Sequence, residues 1–258
     1  MGRTVDLVAA LRAAGCVFAE DEARLLVEAA STPEQLAELV GRRVSGVPIE
    51  HLLGWVDFCG RRFAVDPGVF VPRRRTELLV TEAARRCRDG AVVVDLCCGS
   101  GAVGAAIAAA RGPLDLHAVD ADDAAARCAR RNLAVAGGTV YVGDLYAPLP
   151  AALRGGVDVV VANAPYVPTA EMVLMPPEAR TFEQPAALDG GADGLDVQRR
   201  VAEEARSWLV PGGHLLVETS ERQAARSVEI VTAGGLRPQV VRSEALDATV
   251  VVGERRRQ

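Results

Sequence analysis

Residues 92–104 read VVVDLCCGSGAVG. A β-branched run carries an acid, Asp95, near its end. It breaks at two cysteines and passes through Gly99 and Gly101 into an alanine-rich stretch of helical character. Strand, glycine turn and helix in that order open a βαβ unit. The pattern repeats downstream: 114–119, Thr139–Val142 and Val157–Ala162 read as strands, with helices over 101–111 and 122–136. A helix over 193–209 ends at Pro211-Gly212-Gly213, and a fifth strand covers 214–218. A helix over 221–234 and two strands near 236–241 and 246–252 finish the chain. These last two have no helical crossover between them and should pair antiparallel. The pattern predicts an α/β fold, Rossmann-like, with a seven-stranded, mostly parallel sheet closed by an antiparallel hairpin.

Upstream, residues 1–45 read as two or three short helices, with Ser31 or Thr32 capping a segment that opens with Pro33. Residues 54–66 alternate around Gly60 like a β-hairpin. The expected organisation is a helical N-terminal domain over 1–50, a hairpin linker over 51–72 and the α/β domain over 73–258.

Half of the 258 residues are apolar, enough for one large core and a small appendage. A net charge of −5 argues against holding nucleic acid by phosphate neutralisation alone. Arg73-Arg74-Arg75 is a local exception, with Arg74 and Arg75 read as solvated and Arg73 as shaping the site; Arg255-Arg256-Arg257 reads as a solvated tail. No apolar run reaches the roughly 18–20 uncharged residues of a membrane span. The N-terminus is amphipathic, with Asp6 in place of a signal-peptide core. A soluble, cytoplasmic chain with no membrane partner is expected. The six cysteines lack Cys-x-x-Cys spacing and the three histidines lie far apart, so no metal is expected. Cys97 and Cys98 read as two reduced thiols packed in a turn, in preference to a strained vicinal disulfide.

Gly99, Gly101 and Gly104 satisfy the dinucleotide pattern G-x-G-x-x-G. Asp95, however, sits in the strand four residues earlier, where its charge would repel a pyrophosphate but could orient a cationic amino-acid moiety. The second strand ends at Asp120, placed for both hydroxyls of a ribose. The third ends at Gly143-Asp144-Leu145, where an acid can reach an adenine amino group; Asp144 as a turn or helix cap is the plainer alternative. Acids after three successive strands resemble the arrangement of class I S-adenosylmethionine (SAM)-dependent methyltransferases. The fourth strand then stops at Asn163-Ala164-Pro165-Tyr166. An amide nitrogen is a poor nucleophile, and acceptors aimed at its N–H groups would orient it and favour the positive charge that develops on it. The Asn163 side chain and the Ala164 carbonyl can supply two, Pro165 stiffens the turn, and Tyr166 offers a flat face.

These four residues resemble the Asn-Pro-Pro-Tyr motif of amino-methyltransferases. Phe70-Val71-Pro72-Arg73-Arg74-Arg75-Thr76-Glu77-Leu78-Leu79-Val80 is similar to the Ile-Pro-Arg-x-x-Thr-Glu-x-Leu-Val segment of protein-(glutamine-N5) methyltransferases of the HemK/PrmC type. Pro48-Ile49-Glu50-His51-Leu52-Leu53-Gly54, and the stretch from Phe182 to Leu195, resemble further elements of that family. The resemblance implies SAM as cofactor, held by Asp95, Cys97, Cys98, Gly99, Ser100, Gly101, Asp120, Asp144, Leu145 and Asn163. It implies that Asn163, Ala164, Pro165 and Tyr166 hold a glutamine of a protein substrate, a release factor or ribosomal protein, recognised through the N-terminal domain. Three departures stand out. Ala164 replaces a proline, Cys97-Cys98 stands where Gly-Thr is usual, and Leu145 takes a position often held by tryptophan. The helical segment is also shorter than the domain with which release-factor enzymes grip their substrate. A nucleic-acid amino-methyltransferase is disfavoured by the acidic charge and the lack of length for a target-recognition domain. A non-catalytic SAM-binding module or a nicotinamide oxidoreductase fits the retained residues less well.

Overall fold

The computed structural model describes residues 2–257. Helices α1 (Gly2–Ala13), α2 (Ala19–Ala29) and α3 (Pro33–Val44) pack Leu11, Ala23 and Leu26 between them, and the short α4 (Ile49–Leu53) follows. Thr32 caps α3: its hydroxyl accepts from the Gln35 amide at 3.2 Å, with Pro33 in the first turn. Strands β1 (Trp55–Phe58) and β2 (Arg61–Ala64) form the hairpin. Its two turn residues, Cys59 and Gly60, both have positive φ, the twist that a two-residue hairpin turn needs. An extended segment then leads into α5 (Glu77–Arg86).

The α/β portion runs β3 (Val92–Leu96), α6 (Ala102–Arg111), β4 (Asp115–Asp120), α7 (Asp123–Leu133), β5 (Thr139–Val142) and β6 (Val157–Ala162). After a long loop containing α8 (Pro177–Phe182) come α9 (Asp196–Trp208), β7 (Leu209–Thr219), α10 (Ala224–Ala233), β8 (Arg237–Ser243) and β9 (Ala248–Glu254). The strands form one sheet in the order β5-β4-β3-β6-β7-β9-β8, parallel except for β9, which runs antiparallel to both neighbours. Every residue of β6 is buried, as a continuous apolar run in a central parallel strand should be. Asp158 within it is satisfied by Arg88 at 2.9 and 3.1 Å and by the Val92 amide at 2.9 Å. Alternate strand residues face two separate cores. Val93, Val159 and Val161 pack under α5, α6 and α7; Val94, Val160 and Ala162 pack under α9 and α10.

The final antiparallel hairpin closes the sheet edge as expected, with β9 lying between β7 and β8. Two expectations change. Pro211-Gly212-Gly213 does not end before the fifth strand but lies inside β7, at the register shift opposite 157–159. Gly212, at φ +85°, bonds there to the Arg255 carbonyl at 2.6 Å, as in a bulge. Arg255 is therefore no solvated tail; its guanidinium also caps the Arg206 carbonyl at 3.0 Å. Among the described residues no helix is long and apolar enough to cross a membrane.

Candidate functional site

The sheet order reverses at β3, whose neighbours β4 and β6 are reached by connections leading to opposite sides. Such a switch point opens a crevice at the carboxyl ends of the strands. Here the crevice is a deep cleft. The linker contributes Val69, Phe70 and Thr76 to its wall, and the glycine turn contributes Asp95, Cys97, Cys98, Gly99 and Ser100. The ends of β4, β5 and β6 add Asp120, Asp144 with Leu145, and Asn163 with Pro165; Gln184 and Arg200 complete it.

The glycine turn is tight because Cys97 and Gly99 both take positive φ, +54° and +55°. Leu145, at the end of β5, is likewise left-handed at φ +46°. Two non-glycine residues held in this sparsely populated conformation flank one cleft, where surrounding packing must enforce it. Both Cys97 and Cys98 are free thiols, and burial followed by the neighbouring acids pushes their pKa values up. They are unreactive packing groups. Gly101 does not line the cleft. It starts α6 at φ +75°, where a Cβ would stand 2.9 Å from that of Ala129, so its role is the close approach of α6 to α7.

Asp95 is buried beneath the turn, with Oδ2 accepting the Gly104 amide at 2.9 Å. Burial, aided by the charge of Asp120 and opposed by that hydrogen bond, raises its pKa to about 7. Asp120 accepts the Gly99 amide at 2.7 Å and the Asp122 amide at 2.9 Å; burial also moves its pKa upward, against these bonds. Each oxygen retains a lone pair for a further donor. Asp144 is exposed, and its carboxylate pairs with Arg200. Ser100 is buried at the cleft wall with its hydroxyl lacking a partner among the described residues. Two poised acids, an orphan hydroxyl and apolar walls at Val69, Val119 and Leu145 suit a ligand carrying an ammonium, a ribose and a flat base. They do not suit a pyrophosphate.

At the far end of the cleft Asn163 and Pro165 form the wall, while Ala164 is buried behind it. Asn163 Nδ2 donates to Thr76 Oγ1 at 3.5 Å, which leaves its carbonyl oxygen to the cleft. Tyr166 lies outside the lining. Its phenol donates to Glu218 at 3.3 Å, and burial followed by the Glu218 charge pushes its pKa to about 12. Arg75 is exposed, as expected, and its Nε lies 3.7 Å from the buried Glu218 carboxylate. Arg73, as expected, shapes the site. It pairs at 2.6 Å with Glu183, whose carboxylate also accepts the Val71 amide, so the linker is tied to the loop after β6.

That loop clamps the Asn163–Tyr166 turn. The Val167 amide donates to the Leu188 carbonyl at 3.0 Å and the Gly190 amide to the Val167 carbonyl at 2.9 Å, and Gln223 donates to the Tyr166 and Asp193 carbonyls at 2.9 and 3.1 Å. A Cβ on Gly190 would meet the Pro165 carbonyl at 2.7 Å, and one on Gly194 the Tyr166 carbonyl at 2.4 Å. Thr76, Arg200, Gln223 and Glu218 were not singled out as site residues from the sequence. Two of them carry a usable signal: Thr76 falls in the segment similar to the family motif, and Glu218 is an acid at the end of an otherwise apolar strand.

Residues 60–175 match the family model described as methyltransferase small domain. A release factor glutamine methyltransferase of Geobacter sulfurreducens is 40% identical over 74% of this chain and 68% of its own length. One of Mycolicibacterium smegmatis is 39% identical over 83% and 78%. A 4-amino-L-phenylalanine/4-methylamino-L-phenylalanine methyltransferase of Streptomyces pristinaespiralis is 35% identical over 80% and 73%. Among solved structures, a T. thermophilus 16S rRNA methyltransferase in complex with AdoMet and guanosine shares the fold. Its TM-score is 0.56 at 20% identity, covering 78% of this chain and 50% of that one. Carrying the class I methyltransferase sheet and matching these relatives over most of its length, the chain is a SAM-dependent methyltransferase and belongs to the release factor glutamine methyltransferase family.

Proposed function

We propose that the chain transfers the methyl group of SAM to the side-chain amide nitrogen of a glutamine in a peptide chain release factor. The observation that carries this reading is Asn163. Its amide nitrogen is committed to Thr76, so a fixed acceptor oxygen is presented at the end of the cleft. SAM supplies an electrophilic methyl group. Asp95, Cys97 to Ser100, Asp120, Asp144 and Leu145 would hold it: Asp95 its ammonium, Asp120 its ribose hydroxyls, and Leu145 with Val119 the adenine. Gly101 supports that loop from below.

The Asn163 side-chain oxygen and the Ala164 carbonyl would accept the two N–H bonds of the glutamine amide. Held this way, the amide plane would be fixed with its nitrogen lone pair free of the two acceptors, and the acceptors would stabilise positive charge appearing on nitrogen. The nitrogen would take the methyl carbon as its bond to sulfur breaks, the bonding pair staying on sulfur, which leaves as a neutral thioether; one amide hydrogen would then leave as a proton to water, so no strong base is needed. Pro165 stiffens the turn, and Tyr166 braces it through Glu218. The helices α1–α3 would contact the protein substrate, and Arg43 couples them to the site by bonding both Glu22, at 2.6 Å, and Glu178 of α8, at 3.4 Å.

The test is mass spectrometry of release factors, ribosomal proteins, 4-amino-L-phenylalanine and RNA incubated together with the enzyme and labelled SAM. A single methylation on a release-factor glutamine is expected. Label confined to the free amino acid, the RNA or another protein would refute the assignment. With the release factor as substrate, Asn163→Ala should lower kcat by about 10²-fold and leave SAM affinity within about twofold. Equal loss of both would refute the role of Asn163.

A further inference from the structure

Behind the cleft wall, the end of β7 places an acid that the transfer itself does not touch. The Glu218 side chain is 2% exposed; Oε1 accepts from Tyr166 at 3.3 Å and lies 3.7 Å from Arg75. Its Oε2 is buried without an aligned partner among the described residues. Thr76 is fully buried and touches both this carboxylate and Asn163. Its hydroxyl faces Glu218 and favours the ionised form, while its Oγ1 accepts Asn163 Nδ2 at 3.5 Å. Hydrogen bonds among catalytic groups often tighten when the reacting groups are in place.

A hydroxyl has one proton. If Thr76 gives it to the Glu218 carboxylate, only lone pairs remain for Asn163, and the amide must turn its NH2 toward Thr76. The oxygen and nitrogen of an asparagine amide are nearly the same size, so packing cannot choose between its two orientations; donor and acceptor matching does. We propose that Glu218 is a positioning residue that, acting through Thr76, sets the Asn163 amide with its oxygen toward the methyl acceptor. Tyr166 and Arg75 hold the carboxylate in place for this. The proposal rests on the reading of Asn163 as the group that holds the acceptor amide.

The chain contains two asparagines, Asn132 and Asn163. Isotopically labelled asparagine therefore gives two side-chain amide pairs by NMR. Asn132, anchored on the Ala64 and Ser100 carbonyls at 2.8 Å each, is the internal reference. Glu218→Gln puts a donor beside Thr76 and frees its hydroxyl to turn; Thr76→Val removes the hydroxyl. Each should move the Asn163 pair and leave Asn132 in place, and Thr76→Ser should restore the wild-type position. Both disrupting variants should lose about tenfold or more in kcat, with SAM affinity within about twofold of wild type. The double variant should be no slower than the slower single one, because both break the same relay.

An Asn163 pair that stays in place in Glu218→Gln, or losses that multiply in the double variant, overturns the relay. The amide signals need no acceptor, so they judge the relay even if no glutamine is methylated, an outcome that would instead refute the functional reading. Should Glu218→Gln fail to fold, seen as loss of the Asn132 reference, Glu218→Asp is read the same way: it keeps the charge but withdraws it by one methylene.

Discussion

Asp95→Asn separates what the cleft needs for binding from what the fold needs for stability. Asn retains the shape and an oxygen for the Gly104 amide, which sits 2.9 Å from the carboxylate, but it cannot ionise. Burial raises the Asp95 pKa from 3.8 to about 7, so the folded protein keeps the proton across that window while the unfolded chain releases it. Stability is then fully present below about pH 4 and falls as pH rises toward 7. At about 1.4 kcal/mol for each tenfold, an ionised Asp95 destabilises the cofactor-free protein by up to about 4 kcal/mol near pH 8. Urea unfolding of the cofactor-free variant should therefore show a gain approaching that size near pH 8 and almost none near pH 4. SAM affinity should move the other way. Losing the carboxylate proposed to face the ammonium should weaken binding about tenfold or more by calorimetry near pH 8. A variant that is no more stable at high pH, or that binds SAM as tightly as wild type, would falsify the assignment of Asp95 as a strained anion kept for the cofactor.

Asp120→Ala leaves the Gly99 and Asp122 amides without their acceptor and removes the proposed ribose partner; SAM affinity should fall by about 10- to 100-fold, read by calorimetry. Gly190→Ala drives a methyl group against the Gly194 and Pro165 carbonyls, 2.4 and 2.7 Å from the ideal Cβ position. It should displace the Asn163–Tyr166 turn and lower kcat well beyond the about 1–3 kcal/mol expected in stability, and an unaltered kcat would show that the loop does not position the turn. Arg73→Ala strands the buried Glu183 carboxylate, at a loss of about 3–5 kcal/mol. Limited proteolysis should then cut the 165–195 loop faster, with unchanged cleavage counting against a tie between linker and loop.

Much of the molecule is legible along the chain. The strand and helix order from 92 onward follows from apolar periodicity and from turns punctuated by glycine and proline, both local signals. The Thr32 cap, the hairpin around Gly60 and the glycine turn were readable for the same reason, since capping and positive-φ turns are settled within a few residues. The acids at strand ends were readable because a parallel sheet places every such end at one edge. Chain order also predicted that the last two strands pair antiparallel. It did not predict that β9 slips between β7 and β8, because that depends on which neighbour offers the better face once the sheet exists.

By itself, then, the sequence determined the class of fold, the cofactor cleft and the motif at its end, all encoded in short-range pattern. What the tertiary structure alone decided is how those parts are held. Asn163 is oriented by Thr76 from 87 residues away, Tyr166 by Glu218 from 52, and Asp144 by Arg200 from 56. No periodicity links such pairs. Even where a partner stands out in its own segment, as Thr76 and Glu218 do, nothing local says what it will meet; only when the sheet brings the segments together do burial and the demand for a hydrogen-bond partner select which side chains pair.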